Sequence, residues 1–588
     1  MTREAYIVSE ELIKYKNEPN LFYRAFELQY RKMFRSTDSL IDQEVLKDWF
    51  VEQVDTIRDL IKFVTLPVQD SPGLCILRGW TGIGKTTSVR VLFEKMQDRL
   101  PKTLVYLYLQ CSTLMPSVEL IDKEFNMEIY AKLEKQFGNN YFKNVSQSDE
   151  TYVANTKRLN QLVSEGKTII AVWDNVDQCS RQVQMECLRL IHSRLNRIKR
   201  LKIIVTIREY NFSRAHTELA NATFDNFPIT HLPLSIEQVL KVREGLSQRT
   251  MREELGDDSK PFDLGEGIQV TIGHGRRFLA RIINDLCRPE ISRALARLSN
   301  TNLRVQLEMA HHALKTPYIT RRVALETIRK YYEQDRDEIL LPYHMFIEGL
   351  LIGSSTDCYS VFSFGDSTLI NMFNAGDINA YYNTLNRHHV AEIVSKITTG
   401  INVGRIEQEL ETLGHDKSCT STSIKEFLSC GLVWSEEGSV EDYPSKISTI
   451  LPTKATNYYI RTLQSKLIYL QHMGLVTPLE EQFRTGIRHW TMEEEEVDSF
   501  RDRMTSTKAL LQQIAADEDE EINLTKKSPA ALAIMQRYRF GNISGEMGKQ
   551  VLKEVQAIRS SSRMPIPENE WIDVIEGFKP IADRAPCI

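Results

Sequence analysis

Residues 79–87 hold the side-chain types that bind a triphosphate, at the spacing such binding requires. The stretch Arg78-Gly79-Trp80-Thr81-Gly82-Ile83-Gly84-Lys85-Thr86-Thr87 fits GxxxxGK[ST], follows an apolar run and leads into an amphipathic one containing Val89, Val91, Leu92 and Phe93. Its glycines let the backbone N–H groups of Gly79, Thr81, Gly82, Ile83, Gly84, Lys85, Thr86 and Thr87 converge on phosphate oxygens at the positive end of the next helix. Lys85 then reaches the β- and γ-phosphates, and the Thr86 hydroxyl holds Mg²⁺. In Thr168-Ile-Ile-Ala-Val-Trp173-Asp174-Asn175-Val176-Asp177, an apolar strand delivers Asp174 at its carboxyl end, where Mg²⁺ opposite Thr86 needs a carboxylate. Asp177 either orients the attacking water or caps a helix starting near Arg181.

Two further stretches carry arginines suited to the fixed geometry of phosphate oxygens. Leu201–Glu209 ends a strand in polar residues, from which Thr206 or Arg208 senses the γ-phosphate, unless Arg208 forms only a surface ion pair. Gly273-His274-Gly275-Arg276-Arg277 opens a helix with Leu279, Ile282, Ile283 and Leu286 on one side; its Arg276 swings onto the nucleotide or is merely solvated.

Positioning these groups requires strands alternating with helices, and the apolar runs supply them at Leu74–Leu77, Thr103–Leu109, Thr168–Trp173, Lys202–Thr206 and Ile229–Leu232. The runs show little polar alternation, as for strands covered on both faces of a parallel sheet. Val45 to Ile61 recur at helical spacing before the sheet. From Ile236 to about Lys330 the pattern reads as helical throughout. Helices are expected at Leu385–Ile397, Gly404–Leu413 and Ser423–Cys430, a wing at Leu432–Ser448, and one long helix sharing Ile460, Leu463, Leu467 and Leu470 on a face. The resulting division is a helical region 1–70, a nucleotide-binding domain 71–236, a helical lid 237–330, a connecting segment 331–385, a winged helix 386–475 and a helical extension 476–588. Acidic runs at Glu493–Glu496 and Asp517–Glu521 read as solvated faces or flexible joints.

Over 588 residues the formal charge of −5 speaks against wholesale coating of nucleic acid, though not against a local basic patch. Nine scattered cysteines form no CxxC pair and no zinc spacing, so reduced thiols are expected. The opening MTREAYIVSEELIKYK lacks a signal-peptide core, and no stretch reaches the ~20 apolar residues a membrane helix needs. A cytoplasmic protein is the expectation. His311-His312 and His388-His389 are adjacent pairs whose members point about 100° apart on a helix, which suits surface or packing roles better than a metal. Tyr458, Tyr459 and Tyr469 read as core rather than as a base-stacking platform.

Together these motifs resemble the AAA+/STAND ATPases, particularly the branch like the origin-recognition initiators, over about 75–475. GWTGIGKTT is similar to the family's Walker A, TIIAVWDNVD to its Walker B, IIVTIRE to its sensor-1 stretch and His231-Leu-Pro-Leu-Ser235 to the segment closing the nucleotide domain. Gly273–Arg277 looks like the sensor-2 helix start and aligns Arg276 with the family arginine. The resemblance implies an α/β P-loop fold with a five-stranded parallel sheet, a helical lid, a winged helix, ATP with Mg²⁺, and a homo-oligomer in the ATP state completed by an arginine from a neighbour. Arg194, Arg197 or Arg200, expected exposed on the helix 181–200, could supply that arginine. Asn175 stands where the family usually has a catalytic glutamate, which implies slow hydrolysis.

The leading expectation is therefore an ATPase switch gating assembly with itself or with a separate protein effector, in bacterial regulation or anti-phage defence by analogy. The alternative is an initiator-like or transposition-regulator-like ATPase that binds DNA through its winged helix. Ser423–Cys430 offers one Lys and one Glu, so DNA is not favoured as the partner. A scaffold that binds ATP structurally is a third reading.

Overall fold

A computed structural model describes residues 51, 53–67, 72–79, 82–94, 100–111, 118–138, 141–142, 151–176, 181–198, 200–208, 226–255, 261–263, 269–315, 341–352, 369–374, 383–397, 399–435, 448–487, 496–561 and 566–584. It divides into two compact units. One ends at Leu246 and takes in Thr301–Val305; the other holds Ser247–Asn300 and the described residues from Gln306 on.

In the first unit, Leu74, Cys75, Ile76 and Leu77 have no polar face to offer water, and β1 (Leu74–Arg78) lies inside a parallel sheet. β2 (Leu104–Gln110), β3 (Thr168–Asp174), β4 (Leu201–Ile207) and β5 (Asn226–Thr230) complete it in the order β2-β3-β4-β1-β5. The central strands bury both faces, as expected, whereas β2 alternates buried and half-buried residues because it sits at an edge. β5 starts and ends earlier than the expected Ile229–Leu232, and Leu232 is exposed beyond it.

Helices cover both faces. On one side Ile57, Leu60 and Phe63 of α1 (Val54–Thr65) and Val89, Leu92 and Phe93 of α2 (Lys85–Glu94) pack against Cys75, Leu77, Val172 and Ile204. On the other, α3 (Val118–Phe137), α4 (Thr151–Ser164) and α5 (Arg181–Arg197) bring Leu133, Leu162 and Ile191 against Ile76, Ile169 and Val205. The 43–50 part of the expected first helix lies outside the described residues.

One charge is built into the middle of this sheet. Lys202 on β4 is fully buried, and its Nζ donates to the carbonyls of Phe63 and Leu66 at the C-terminal end of α1. Burial pulls its ammonium down to about 8. Lys202→Met should destabilise this unit by about 2 kcal/mol, because it strips one buried and one half-buried carbonyl of their donor. A denaturant midpoint within error of the wild type would refute that role.

The second unit is mostly helical. The expected unbroken run from 236 instead contains α6 (Ile236–Leu255), a hairpin of β6 (Pro261–Asp263) and β7 (Gln269–Thr271), and then α7 (Ile272–Leu286), α8 (Pro289–Leu298) and α9 (Leu303–Lys315). α6 and α9 each cross the boundary between the units. Within 331–385, α10 (Tyr343–Ile352) is described. There follow α11 (Asn383–Lys396), β8 (Ile401–Asn402), α12 (Val403–Thr412), α13 (Lys417–Ser429), β9 (Val433–Ser435) and β10 (Thr449–Pro452). β8, β10 and β9 form an antiparallel sheet in that order. α13 starts earlier than the expected Ser423, at the Asp416 side chain, which accepts from the Ser418 N–H and caps the helix. Residues 436–447 of the expected wing lie outside the described residues.

The long helix expected through Ile460 and Leu470 is broken: α14 (Lys454–Tyr458) passes into a π-helical turn (Tyr459–Leu463), and α15 (Leu467–Val476) begins only after Lys466. Tyr459 and Tyr469 lie in the core, their hydroxyls meeting the backbone of Ile370 and Met372. α16 (Glu481–Arg484), α17 (Glu496–Thr525), α18 (Pro529–Tyr538), α19 (Ile543–Ser561) and α20 (Glu568–Ala582) complete the unit.

The acidic run Asp517–Glu521 is a solvated face only at Asp519 and Glu520, which are exposed. It sits inside α17, where Asp517, Glu518 and Glu521 are buried and satisfied: Asp517 accepts from the Thr384 hydroxyl, Glu518 from Ser544, and Glu521 from His389 and His415. The 493–495 part of the other run is outside the described residues. His388 and His389 are both buried and turn to different partners, His388 to Gln464 and His389 to Glu521. Among the described residues no helix is long and apolar enough to cross a membrane.

Candidate functional site

The site is built where β1 ends. Gly79 closes the strand with its N–H on the Ile207 carbonyl, and the chain then passes through Gly82 and Gly84, whose φ values of 71° and 101° suit glycine alone at little cost, into α2 at Lys85. Trp80 and Thr81 lie outside the described residues. The Lys85 Nζ donates to the Gly79 carbonyl at 2.8 Å, so the ammonium lies across the loop.

The carboxyl end of β3 faces this loop. Asp174 is fully buried, and its Oδ1 accepts from the Thr86 hydroxyl at 3.1 Å and from the Thr206 hydroxyl of β4. Thr206 in turn accepts from the N–H of Asn175, which turns out of the strand with φ 59°. Oδ2 accepts from the Tyr108 hydroxyl of β2 at 2.5 Å. Burial and the adjoining Asp174 carboxylate push the Tyr108 phenol up, so it stays a donor, and Arg90 of α2 lies 5.2 Å from the centre of its ring. A carboxylate otherwise too costly to bury is thus held by hydroxyls from α2, β2 and β4.

A second cradle supports the loop from behind. His231, just past β5, contacts the Ile83 carbonyl through Nε2 and the Thr56 hydroxyl of α1 through Nδ1, both at 3.1 Å. Burial lowers its imidazole to about 4, against the Ile83 hydrogen bond and with help from the Lys85 charge. The neutral ring therefore carries its proton on Nε2, assigned from these partners, and fixes the loop carbonyl.

The structure thus brings Gly79, Gly82, Ile83, Gly84, Lys85, Thr86, Thr87 and Asp174 to one edge of the sheet, and Arg208 follows β4 at that edge, half-buried. Asp177 lies outside the described residues. Arg276 belongs to the other unit, where it is half-buried on α7. Arg194 is not exposed as expected: it is buried, donating to Asn126 Oδ1 at 2.7 Å, while Arg197 and Arg200 are exposed. Sequence reasoning missed the roles of Tyr108 and His231 in holding the site. The signal for Tyr108 was a polar-tipped residue near the end of β2, on the face it shares with Gln110, which pairs with Asp174.

A parallel sheet whose first strand runs into a glycine loop and helix, with an aspartate from another strand on the loop's threonine, defines a P-loop NTPase. Residues 68–214 match the family model of the AAA domain, so this part of the chain carries an ATPase domain. No curated relative matches it in sequence. Among solved structures it is similar to the ORC2 protein of Aeropyrum pernix in its ADPNP–ADP complexes, at 12% identity over 72% of this chain and 99% of that one, with a TM-score of 0.32. It is similar also to Cdc6p of Pyrobaculum aerophilum (13% identity, 74% and 98% covered, TM-score 0.32) and to the ORC1 protein of Aeropyrum pernix in complex with DNA (14%, 73% and 95%, 0.32). Likeness of that degree assigns neither ligand nor partner to this chain.

Proposed function

We propose that the chain is a slow ATP-driven switch in which nucleotide state gates self-assembly or the binding of a separate protein effector, in a cytoplasmic and bacterial regulatory or defence setting. The observation that carries the nucleotide part is the Thr86–Asp174 contact at 3.1 Å beside Lys85. A hydroxyl and a carboxylate are the hard oxygen donors that Mg²⁺ takes alongside phosphate oxygens, so the residues present fit the ion. Bound there, Mg²⁺ would neutralise charge on the phosphates. Thr86 and Asp174 hold it, Lys85 and the loop N–H groups bind the phosphates, and Arg208 and Arg276 are the arginines assigned to sense the nucleotide. Asp177 orients the water; Asn175, next to Asp174, has no carboxylate to do so, which suits slow turnover and a switch.

Asp177→Ala should leave ATP bound and stop turnover. Sedimentation of the two proteins with ATP and with ADP tests the switch: a larger species in ATP, persisting in Asp177→Ala, is expected. Normal hydrolysis by Asp177→Ala would refute its assignment, and identical sedimentation in both nucleotides would refute gated assembly.

A second reading, DNA binding through a winged helix formed by α11–α13 and the β8-β10-β9 sheet, gains from one observation. Glu426, the acidic residue of α13, is ion-paired with buried Arg387, while Lys417, Ser418, Lys425 and Ser429 are exposed. The exposed residues within α13 are therefore basic or hydroxyl-bearing, as phosphate contacts require, with the exposed Asp416 cap as the acid beside them. ATP-dependent duplex binding that falls steeply with salt would favour this reading over the protein effector.

A further inference from the structure

We propose that His389, His415 and Glu521 form a binding site for a divalent ion of the zinc class, separate from the nucleotide site. The three come from different elements: α11, the turn between α12 and α13, and α17. Their side chains are fully buried. His389 Nε2 lies 3.0 and 3.1 Å from the two Glu521 carboxylate oxygens, and His415 Nε2 lies 3.0 Å from the nearer one. Potential ligand atoms of all three lie within 4.8 Å of one another, and among the described residues no other group of this kind occurs.

Two imidazoles and one carboxylate are a zinc-type donor set; Mg²⁺ and Ca²⁺ ask for more oxygens. Ligand atoms 2.0–2.1 Å from a tetrahedral zinc stand about 3.3 Å apart, so the observed nitrogen–oxygen spacings need widen only slightly.

The rings are held in their orientation by their surroundings. His389 stacks on Phe540 with centroids 3.8 Å apart and planes at 15°, and its buried Nδ1 has no hydrogen-bond partner among the described residues. The ring is therefore fixed by stacking and by whatever its Nε2 meets. Asn386 lies beside His415 Nδ1 at 3.5 Å. Its Nδ2 also donates to the Thr420 hydroxyl at 3.1 Å and its Oδ1 accepts from the Ser423 hydroxyl at 2.8 Å, so the amide beside the ring is itself anchored.

The test uses the full chain without a histidine tag or nucleotide. The protein is treated with Zn²⁺, dialysed, and its metal measured by plasma mass spectrometry; Co²⁺ loading is followed by its visible absorption. One zinc per chain, a tetrahedral Co²⁺ spectrum, and a melting temperature lowered by chelator and restored by Zn²⁺ are expected. His415→Ala and Glu521→Gln should each weaken zinc binding by more than the roughly 10–100-fold that an outer-shell change costs. Asp174→Asn should retain the metal, which separates this site from the Mg²⁺ site. Zinc absent from the wild type, or retained undiminished by both variants, would overturn the proposal, as would zinc lost from Asp174→Asn. Should the variants fail to fold, the wild type decides: a melting temperature indifferent to chelator and to Zn²⁺ leaves only a hydrogen-bonded triad.

Discussion

Replacing Lys85 by alanine is expected to weaken ATP binding at least about 100-fold, since each hydrogen bond to a charged group is worth about 1.5–3 kcal/mol and each 1.4 kcal/mol is tenfold in affinity. The ammonium already lies across the glycine loop, 2.8 Å from the Gly79 carbonyl, so its reach to the phosphates requires little reorganisation. The same geometry keeps the structural cost small, because Lys85 is only half-buried and the loop is also held by Gly79 on Ile207 and by His231 on Ile83. Titration with a fluorescent ATP analogue, beside a melting curve, separates the two effects. Affinity within about threefold of the wild type, below 1 kcal/mol, would remove Lys85 from the phosphate site.

The second large effect is expected at Asp174. Asp174→Asn should lower Mg²⁺-dependent turnover about 100-fold or more, because a neutral amide cannot supply the charge that holds the ion, and metal charge stabilisation is worth several kcal/mol. Its stability should change by no more than about 1–2 kcal/mol, because the amide oxygen still accepts from Thr86 and Thr206 and the Tyr108 hydroxyl can rotate to accept. Asp174→Ala differs: it leaves those buried hydroxyls without an acceptor, at about 1–3 kcal/mol for each one stranded. Tyr108→Phe removes one donor and leaves the charge, so it should reduce turnover more mildly than Asp174→Asn. Turnover by Asp174→Asn at the wild-type rate would mean that the metal is held elsewhere.

The sheet and its loop were legible because their signals are local. Apolar runs such as Ile169–Val172 have one way to be buried twice over, and the Gly79–Thr86 spacing binds phosphate through its own backbone. Residues that act across the fold were not legible. Tyr108 and His231 reach Asp174 and Ile83 from separate parts of the chain; Tyr108 left only the faint trace of sharing a strand face with Gln110, and no spacing announces the His231 contact. Charge misled in the same way: Asp517–Glu521 reads as solvated throughout, yet Thr384, Ser544, His389 and His415 arrive from distant segments to meet Asp517, Glu518 and Glu521, and only Asp519 and Glu520 face solvent. Arg194 was expected in solvent because Leu188, Ile191, Leu195 and Ile198 would take the inward face of its helix, but Asn126 takes it inside. The helix through Ile460 was expected whole because apolar spacing continues across a π-turn that only tertiary packing imposes.

The polar seam between α11–α13 and the C-terminal helices, buried at its centre and open at its margins, bears on how freely this protein can be taken apart. Thr384 meets Asp517, His389 and His415 meet Glu521, Lys396 meets the Tyr538 carbonyl, and Arg537 meets Glu409 at 2.7 Å. Apolar seams forgive substitution of one greasy surface for another; a seam of matched donors and acceptors does not. A chain cut after Val476 would open His389, His415 and Thr384 to water and strip them of their partners, so the segment 383–452 is no interchangeable cassette. It can be exchanged with a relative only together with the helices that complete it, and the two stretches must change in step.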